Sequence, residues 1–300
     1  MSETHGLAYD SKGLSLALGS HIIWGSMPLY LMLVKTVPAA EFVAWRLIFT
    51  LPLCLAVIVW RKSAGEVRAV LADRKALLTL VGSSVMIATN WLLYVWAIQT
   101  DHVYAASLGY YILPLVMMML GMVFLHERLS RLQWAALGVA ALGVAALAGG
   151  ALTTLWLSIS IGISFGVYGL LRKTVAAGSI AGLTIETMIL MPLALGVAAW
   201  FWTGPQGSSM SGGWVQALAI AGSGPMTGIP LLLFAAAARR LPYTVVGFLQ
   251  FISPTIVFLL GLFFFGEELH PAQLVAFVAI WIAATFFTWD LLRPRRKAPA

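Results

Sequence analysis

Ten runs of about 20 consecutive apolar residues, parted by short polar or charged breaks, leave this 300-residue chain little choice but a bundle of membrane-crossing helices. They are Leu14 to Val34, Ala40 to Trp60, Leu77 to Ile98, Tyr104 to Leu125, Leu132 to Gly150, Thr153 to Leu171, Ala181 to Trp202, Trp214 to Ala238, Tyr243 to Phe265 and Gln273 to Leu292. A transmembrane β-barrel would show alternating segments of roughly ten residues instead. Continuous apolar stretches satisfy their backbone hydrogen bonds in hydrocarbon only as helices. The expected fold is therefore all-α and integral to a membrane. Residues 1–13 and 293–300 are short tails, and the longest internal loop, Arg61 to Ala76, has room for a small amphipathic helix at most. Leu14 to Val34 reads as a first span rather than a signal peptide: Glu3 and Asp10 accompany Lys12 ahead of it, and no A-x-A-like site follows.

Composition narrows the chemistry. Apolar residues make up 61% of the chain and charged residues only 10%. In a soluble protein the net charge of +7 would suggest a nucleic-acid partner; here the Lys and Arg positions report topology. With the amino terminus in the cytoplasm, the basic residues fall on the inner side except Lys35, in an outer loop, and Arg46, within a span. Both termini are expected to be cytoplasmic, with a lipid bilayer and a small solute as partners and no nucleic acid. The lone Cys54 lies inside a span, and the five histidines show no H-x-x-x-H or H-E-x-x-H spacing, so no metal or cofactor is expected. No Walker motif, paired aspartates or Ser/His/Asp set points to ATP hydrolysis or to an enzyme.

The ten spans divide into two sets of five, residues 14–150 and 153–292, that resemble each other at a constant shift of 140. Arg46 falls on Glu186, Pro52 on Pro192, Asn90 on Pro230, Pro114 on Pro254, Glu127 on Glu267, Leu129 on Leu269 and Gln133 on Gln273. Because five is odd, the second set must cross in the opposite sense, giving an inverted repeat with a pseudo-twofold axis in the membrane plane. Duplication for packing alone gives the same pattern. Transport uses it further, because two related halves facing opposite ways supply inward-open and outward-open states of similar energy.

Charge inside a span is costly, so Arg46 and Glu186 should face the bundle interior or a wet cavity. Each lies five or six residues inside its run, at opposite ends, about 8 Å deep. Two uses fit them. They can lock helices through an ion pair or capping contacts; or Arg46 attracts a substrate carboxylate or phosphate while Glu186 carries a coupling proton or binds an amine. Spans three and four add polar candidates. Asn90 and Tyr94 share one helix face, as do Ser107, Tyr110, Tyr111 and Pro114, and the shift of 140 sets Gln250 opposite Tyr110. An amide and phenols can hydrogen-bond a small solute between apolar walls, or simply tie helices together. Pro114, Pro230 and Pro254 are candidate helix hinges. Trp24, Trp60, Trp156 and Trp202 are expected as interface anchors, and the Gly/Ala run from Leu137 as a close-packing face.

Strings spread from span one to span ten, among them GSMPLY, VPAAEFVAWR, TNWLLYVWA, ASLGYYILPL, LTIETMILMPLAL, GFLQFISPT and FFGEELHPAQL, resemble the RarD-type members of the EamA family in the drug/metabolite transporter superfamily. The resemblance implies a bacterial inner-membrane protein of ten helices in a five-plus-five inverted repeat, moving small metabolites or drug-like solutes, usually outward, by alternating access. Facilitative exchange and amphiphile flipping without proton coupling fit the same features. Trp45, Leu113 and His126 depart from the His, Asn and Gly that members often carry there; losing the amide at Leu113 weakens any substrate inferred from relatives.

Overall fold

The computed structural model describes residues 10–149, 152–266 and 270–292, so Gly150, Glu267, Leu269 and the basic tail from Arg293 lie outside the described residues. Every regular element among the described residues is helical. The helices are α1 (Ser11–Leu31), α2 (Ala39–Arg61), α3 (Ala64–Ala72), α4 (Arg74–Gln99), α5 (Val103–Leu125), α6 (Arg131–Ala148), α7 (Leu155–Thr174), α8 (Ser179–Thr203), α9 (Trp214–Ala221), α10 (Ser223–Ala238), α11 (Tyr243–Leu249), α12 (Ile252–Leu260) and α13 (Pro271–Leu292). Ten stretches are long and apolar enough to cross a membrane. An even number of crossings returns the chain to the face from which it started, called the start face below; the other is the far face.

Local chemistry explains the boundaries. The Asp73 side chain accepts from the backbone N–H groups of Lys75 and Ala76 and opens α4. Ser130 and Gln133 form a reciprocal capping box at the start of α6. At the equivalent place before α13, Gln273 likewise accepts from the backbone N–H three residues back, at His270, 3.2 Å away. The loop after α2 contains the short helix α3, as its length allowed.

Two spans are broken within predominantly apolar runs, at GSGP from Gly222 and at QFISP from Gln250. Span eight consists of α9 and α10, which meet at Gly222, eight residues before Pro230. Span nine consists of α11 and α12, interrupted at Gln250 and Phe251. Proline supplies the reason in the second case: Pro254 has no N–H to return to the Gln250 carbonyl, so the ladder is lost there. A π-helical turn, Gly261–Phe265, closes the span. Pro114 lies inside the uninterrupted α5.

The most extensive helix packings are α5 on α7, α6 on α13, α2 on α8, α4 on α7, α1 on α10, α5 on α11, α2 on α10, α1 on α12 and α4 on α8. Numbered by span, exchanging each with the one five places on maps this set onto itself: four–six becomes nine–one, three–six becomes eight–one and two–eight becomes seven–three, while five–ten, two–seven and four–nine return unchanged. Small residues set the closest approaches. A Cβ at Gly109 would lie 2.9 Å from Ile161 side-chain carbons, and one at Gly143 would lie 2.8 Å from the Ala279 Cβ, so the Gly/Ala face of α6 does pack closely, against α13.

One expected anchor is misplaced. Trp24 lies near the middle of α1, with its ring 5.6 Å from Phe165 and 5.7 Å from Phe234, so it fills the core rather than a headgroup belt. Trp60, Trp156 and Trp202 are exposed near the ends of their spans.

Candidate functional site

Arg46, in the second turn of α2, is the charge around which the polar interior is organised. Its Nε donates to Thr227 Oγ1 of α10 at 2.9 Å, and its guanidinium carbon sits 4.8 Å from the centre of the Trp91 ring on α4. The phenols of Tyr30, Tyr94 and Tyr110 are close enough to interact with its charge, which brings α1, α4 and α5 to the same place. The Tyr94 and Tyr110 rings meet edge to face at 5.9 Å. Arg46, Trp91, Tyr94, Tyr110 and Tyr30 are all half-buried, each keeping part of its surface open. Among the described residues Arg46 forms no ion pair with a carboxylate.

Glu186, on α8, has the opposite environment. It is 2% exposed, and its partner is Arg172 of α7, 1% exposed, with Nε at 3.7 Å from Oε1. Ser83 of α4 donates a hydrogen bond to Oε1, and Tyr168 of α7 lies against the pair. Arg172 also donates through Nη2 to the Ser179 carbonyl at 3.0 Å. Its path crosses Gly182: a Cβ there would lie 1.7 Å from Nη1, so only glycine lets the guanidinium pass. In the sequence Arg172 reads as one of two basic residues ending a span, a topology marker. The structure keeps it at that end of α7 and adds what the sequence left open, folding it inward as the counter-ion of Glu186. Gly182, one helical turn before Glu186 on the same face, is the sequence signal that could have found it. Arg46 and Glu186 do not pair.

The other candidates are divided between several places. Asn90 is fully buried and its Nδ2 donates to the Ile161 carbonyl at 2.9 Å and to Ser164 Oγ at 3.2 Å, tying α4 to α7, while its Oδ1 is buried without a partner. The Tyr111 hydroxyl is 3.4 Å from the Pro254 carbonyl and faces α12. Ser107 is exposed. Gln250 sits at the break between α11 and α12, 3% exposed, with Oε1 unpartnered. The structure thus gathers Arg46, Tyr94 and Tyr110 with three residues not singled out beforehand, Trp91, Thr227 and Tyr30. Two clefts, of about 500 and 610 Å³, lie elsewhere: one at Arg74 to Thr79 on α4, one between α6 and α13 near Arg131 and Trp289.

Two further carboxylates hold segments together. Glu41, fully buried at the far-face start of α2, accepts from Ser208 Oγ at 2.6 Å, from Ser209 N and Oγ at 2.9 and 2.7 Å, and from Trp45 Nε1 at 3.1 Å. It pins the loop before α9, through the short turn Ser209–Ser211. Glu127 accepts from the N–H groups of Tyr243 and Thr244 at 2.6 and 2.8 Å, capping α11.

Comparison with known proteins agrees with this architecture. Residues 11–149 match the EamA-like transporter family. The chain is 39% identical over 288 residues to an uncharacterized transporter of Pseudomonas aeruginosa, covering 96% of this chain and 97% of that one. It is 36% identical to the protein RarD of Escherichia coli, covering 95% and 97%. A solved structure titled only as a protein superposes with a TM-score of 0.74 at 18% identity, over 95% of this chain and all of the other, and so bears on the fold alone.

Proposed function

Because the chain belongs to the EamA-like transporter family and is of RarD type, we propose that it is a secondary transporter of the bacterial inner membrane, with both termini cytoplasmic, that exports small metabolites or drug-like solutes by alternating access. The observation that carries this reading is the helix packing that maps onto itself when the two sets of five spans are exchanged. A pairing pattern of that kind, with the constant shift of 140 in sequence, supports an inverted repeat, and an inverted repeat offers two openings related by a pseudo-twofold axis and similar in energy.

In this reading the solute binds at Arg46, Tyr94 and Tyr110. Asn90, Ser107, Tyr111 and Gln250 are further polar contacts reached as helices move, and Pro114, Pro230 and Pro254 are the flexing points. The interruption beside Pro254 supports its part in this most directly. Glu186 is the coupling carboxylate, with a proton and the Arg172 guanidinium competing for it. One observation favours a second reading, facilitative exchange or flipping without coupling: Glu186 already has its counter-ion, and a paired carboxylate needs no proton.

The test needs no known solute. In a Cys54→Ala background, spin labels at Thr100 and Gln206 span the far face, and labels at Arg240 and Glu66, related to them by the shift of 140, span the start face; all four residues are exposed. Each pair should populate a short and a long distance, the long fraction at one face matching the short fraction at the other. A single distance at both faces would overturn alternating access. Coupling predicts that these fractions move with pH and that Glu186→Gln abolishes the movement; exchange without coupling predicts no movement in either protein.

A further inference from the structure

Arg46 poses a problem that helix packing does not solve. A guanidinium within a span is stable only if something compensates its charge, yet it has one neutral hydroxyl, one indole face and three phenols around it. The other cations near the interior are engaged: Arg172 with Glu186, and Lys173 with the carbonyls of Ala238 and Leu241 at 2.7 and 2.5 Å. Among the described residues the Arg46 site therefore carries a single positive charge with no carboxylate beside it, within walls of aromatic rings.

We propose that this site takes monovalent aromatic carboxylates, the carboxylate on the Arg46 guanidinium and the ring among Trp91, Tyr94 and Tyr110. The proposal rests on reading Arg46 as the solute site and goes beyond it to the class of solute. Three features select the class. A single cation balances one negative charge, so a phosphate dianion would enter with a charge left over in a low-dielectric setting. A planar guanidinium fork matches a carboxylate through two parallel hydrogen bonds, and Nε is already held by Thr227 at 2.9 Å, which fixes the plane of the fork. The edge-to-face Tyr94–Tyr110 pair and the Trp91 ring offer a flat ring the stacked and edge contacts that such rings prefer, while the two phenols supply donors at its rim.

The experiment uses the full chain in lipid nanodiscs, titrated with benzoate, benzyl alcohol, acetate and phenyl phosphate. Benzoate should bind at least about tenfold more tightly than each of the other three. Arg46→Gln should remove that advantage over benzyl alcohol while leaving benzyl alcohol itself unchanged, and Arg46→Lys should restore part of it. If Arg46→Gln fails to fold, Trp91→Leu keeps the test open: it should lower benzoate affinity and leave acetate untouched. Equal binding of benzoate and benzyl alcohol, tighter binding of phenyl phosphate, or wild-type benzoate affinity in both Arg46→Gln and Trp91→Leu would overturn the proposal. Counterflow of labelled benzoate into liposomes loaded with benzoate separates this from the carrier reading. Arg46-dependent binding with no counterflow and no exchange of the spin-label distances would sink the carrier and leave an anion site. Exchange of those distances without benzoate binding would leave the carrier and sink the solute class.

Discussion

Arg46 and Glu186 stand 140 residues apart, each a charged group inside a long apolar run, and the chain treats them oppositely. Glu186 has a cation from the neighbouring helix, a serine hydroxyl and a tyrosine, all out of reach of water. Arg46 has aromatic faces, one threonine and open surface. The bundle can thus neutralise an ionised group at this depth when it has a counter-ion to place there, as the glycine gap at position 182 demonstrates. Around Arg46 no such counter-ion is present among the described residues. The difference separates charge that closes a structure from charge held ready for something else.

Breaking the paired site should have the largest effect. Arg172→Met leaves Glu186 buried without its cation, at a cost of about 3–5 kcal/mol. Thermal unfolding of the purified protein should show a large fall, and adding Glu186→Gln to that variant should recover much of it. A small fall would mean that the pair does not hold α7 to α8. Next comes Glu41, a third buried charge, whose bonds all come from neutral donors. Glu41→Ala leaves those donors unanswered and should cost about 2–3 kcal/mol. It should also speed proteolysis at Ser208 to Ser211, while the rest of the bundle unfolds as before.

The smallest effect belongs to the shorter of the two ion pairs seen among the described residues. Arg240 Nη1 lies 2.9 Å from Asp10 Oδ2 on the exposed start face, closer than Arg172 is to Glu186, yet water and salt screen it. The hydrogen bond from Arg240 holds the Asp10 carboxyl below its ordinary value of 3.8. A lowered folded-state value means that any stability from the pair is present above that ordinary value and is lost as pH falls through the lowered one. Asp10→Asn should leave the unfolding midpoint unmoved at neutral pH, and a clear shift would show that distance rather than burial sets the worth of these pairs.

Much of the fold was legible because a bilayer imposes one rule on every span. Run length marked ten helices long and apolar enough to cross a membrane. Run length does not show the breaks at Gly222 and Gln250, because an apolar run reads the same whether its helix is continuous or not; the local signals are Pro225, just after Gly222, and Pro254. In the site, Arg46, Tyr94 and Tyr110 could be seen as polar exceptions on helical faces. Thr227 could not, since it lies 181 residues from its partner and nothing local marks it. The pairing of Arg172 with Glu186 was not legible, because basic residues at span ends usually face headgroups and its inward turn depends on a glycine in the next helix. The hold of Glu41 on Ser208 and Ser209 was equally invisible, being a contact between the start of one span and a loop that follows another.

The thermal unfolding midpoint of Arg46→Gln, measured with no solute present, tests most directly whether this arginine is kept free of structural duty. Removing an uncompensated charge from within the bundle should leave the midpoint at or above that of the wild type. A fall as large as that of Arg172→Met would show Arg46 to be a strut between α2 and α10, and its claim to be the solute anchor would be lost.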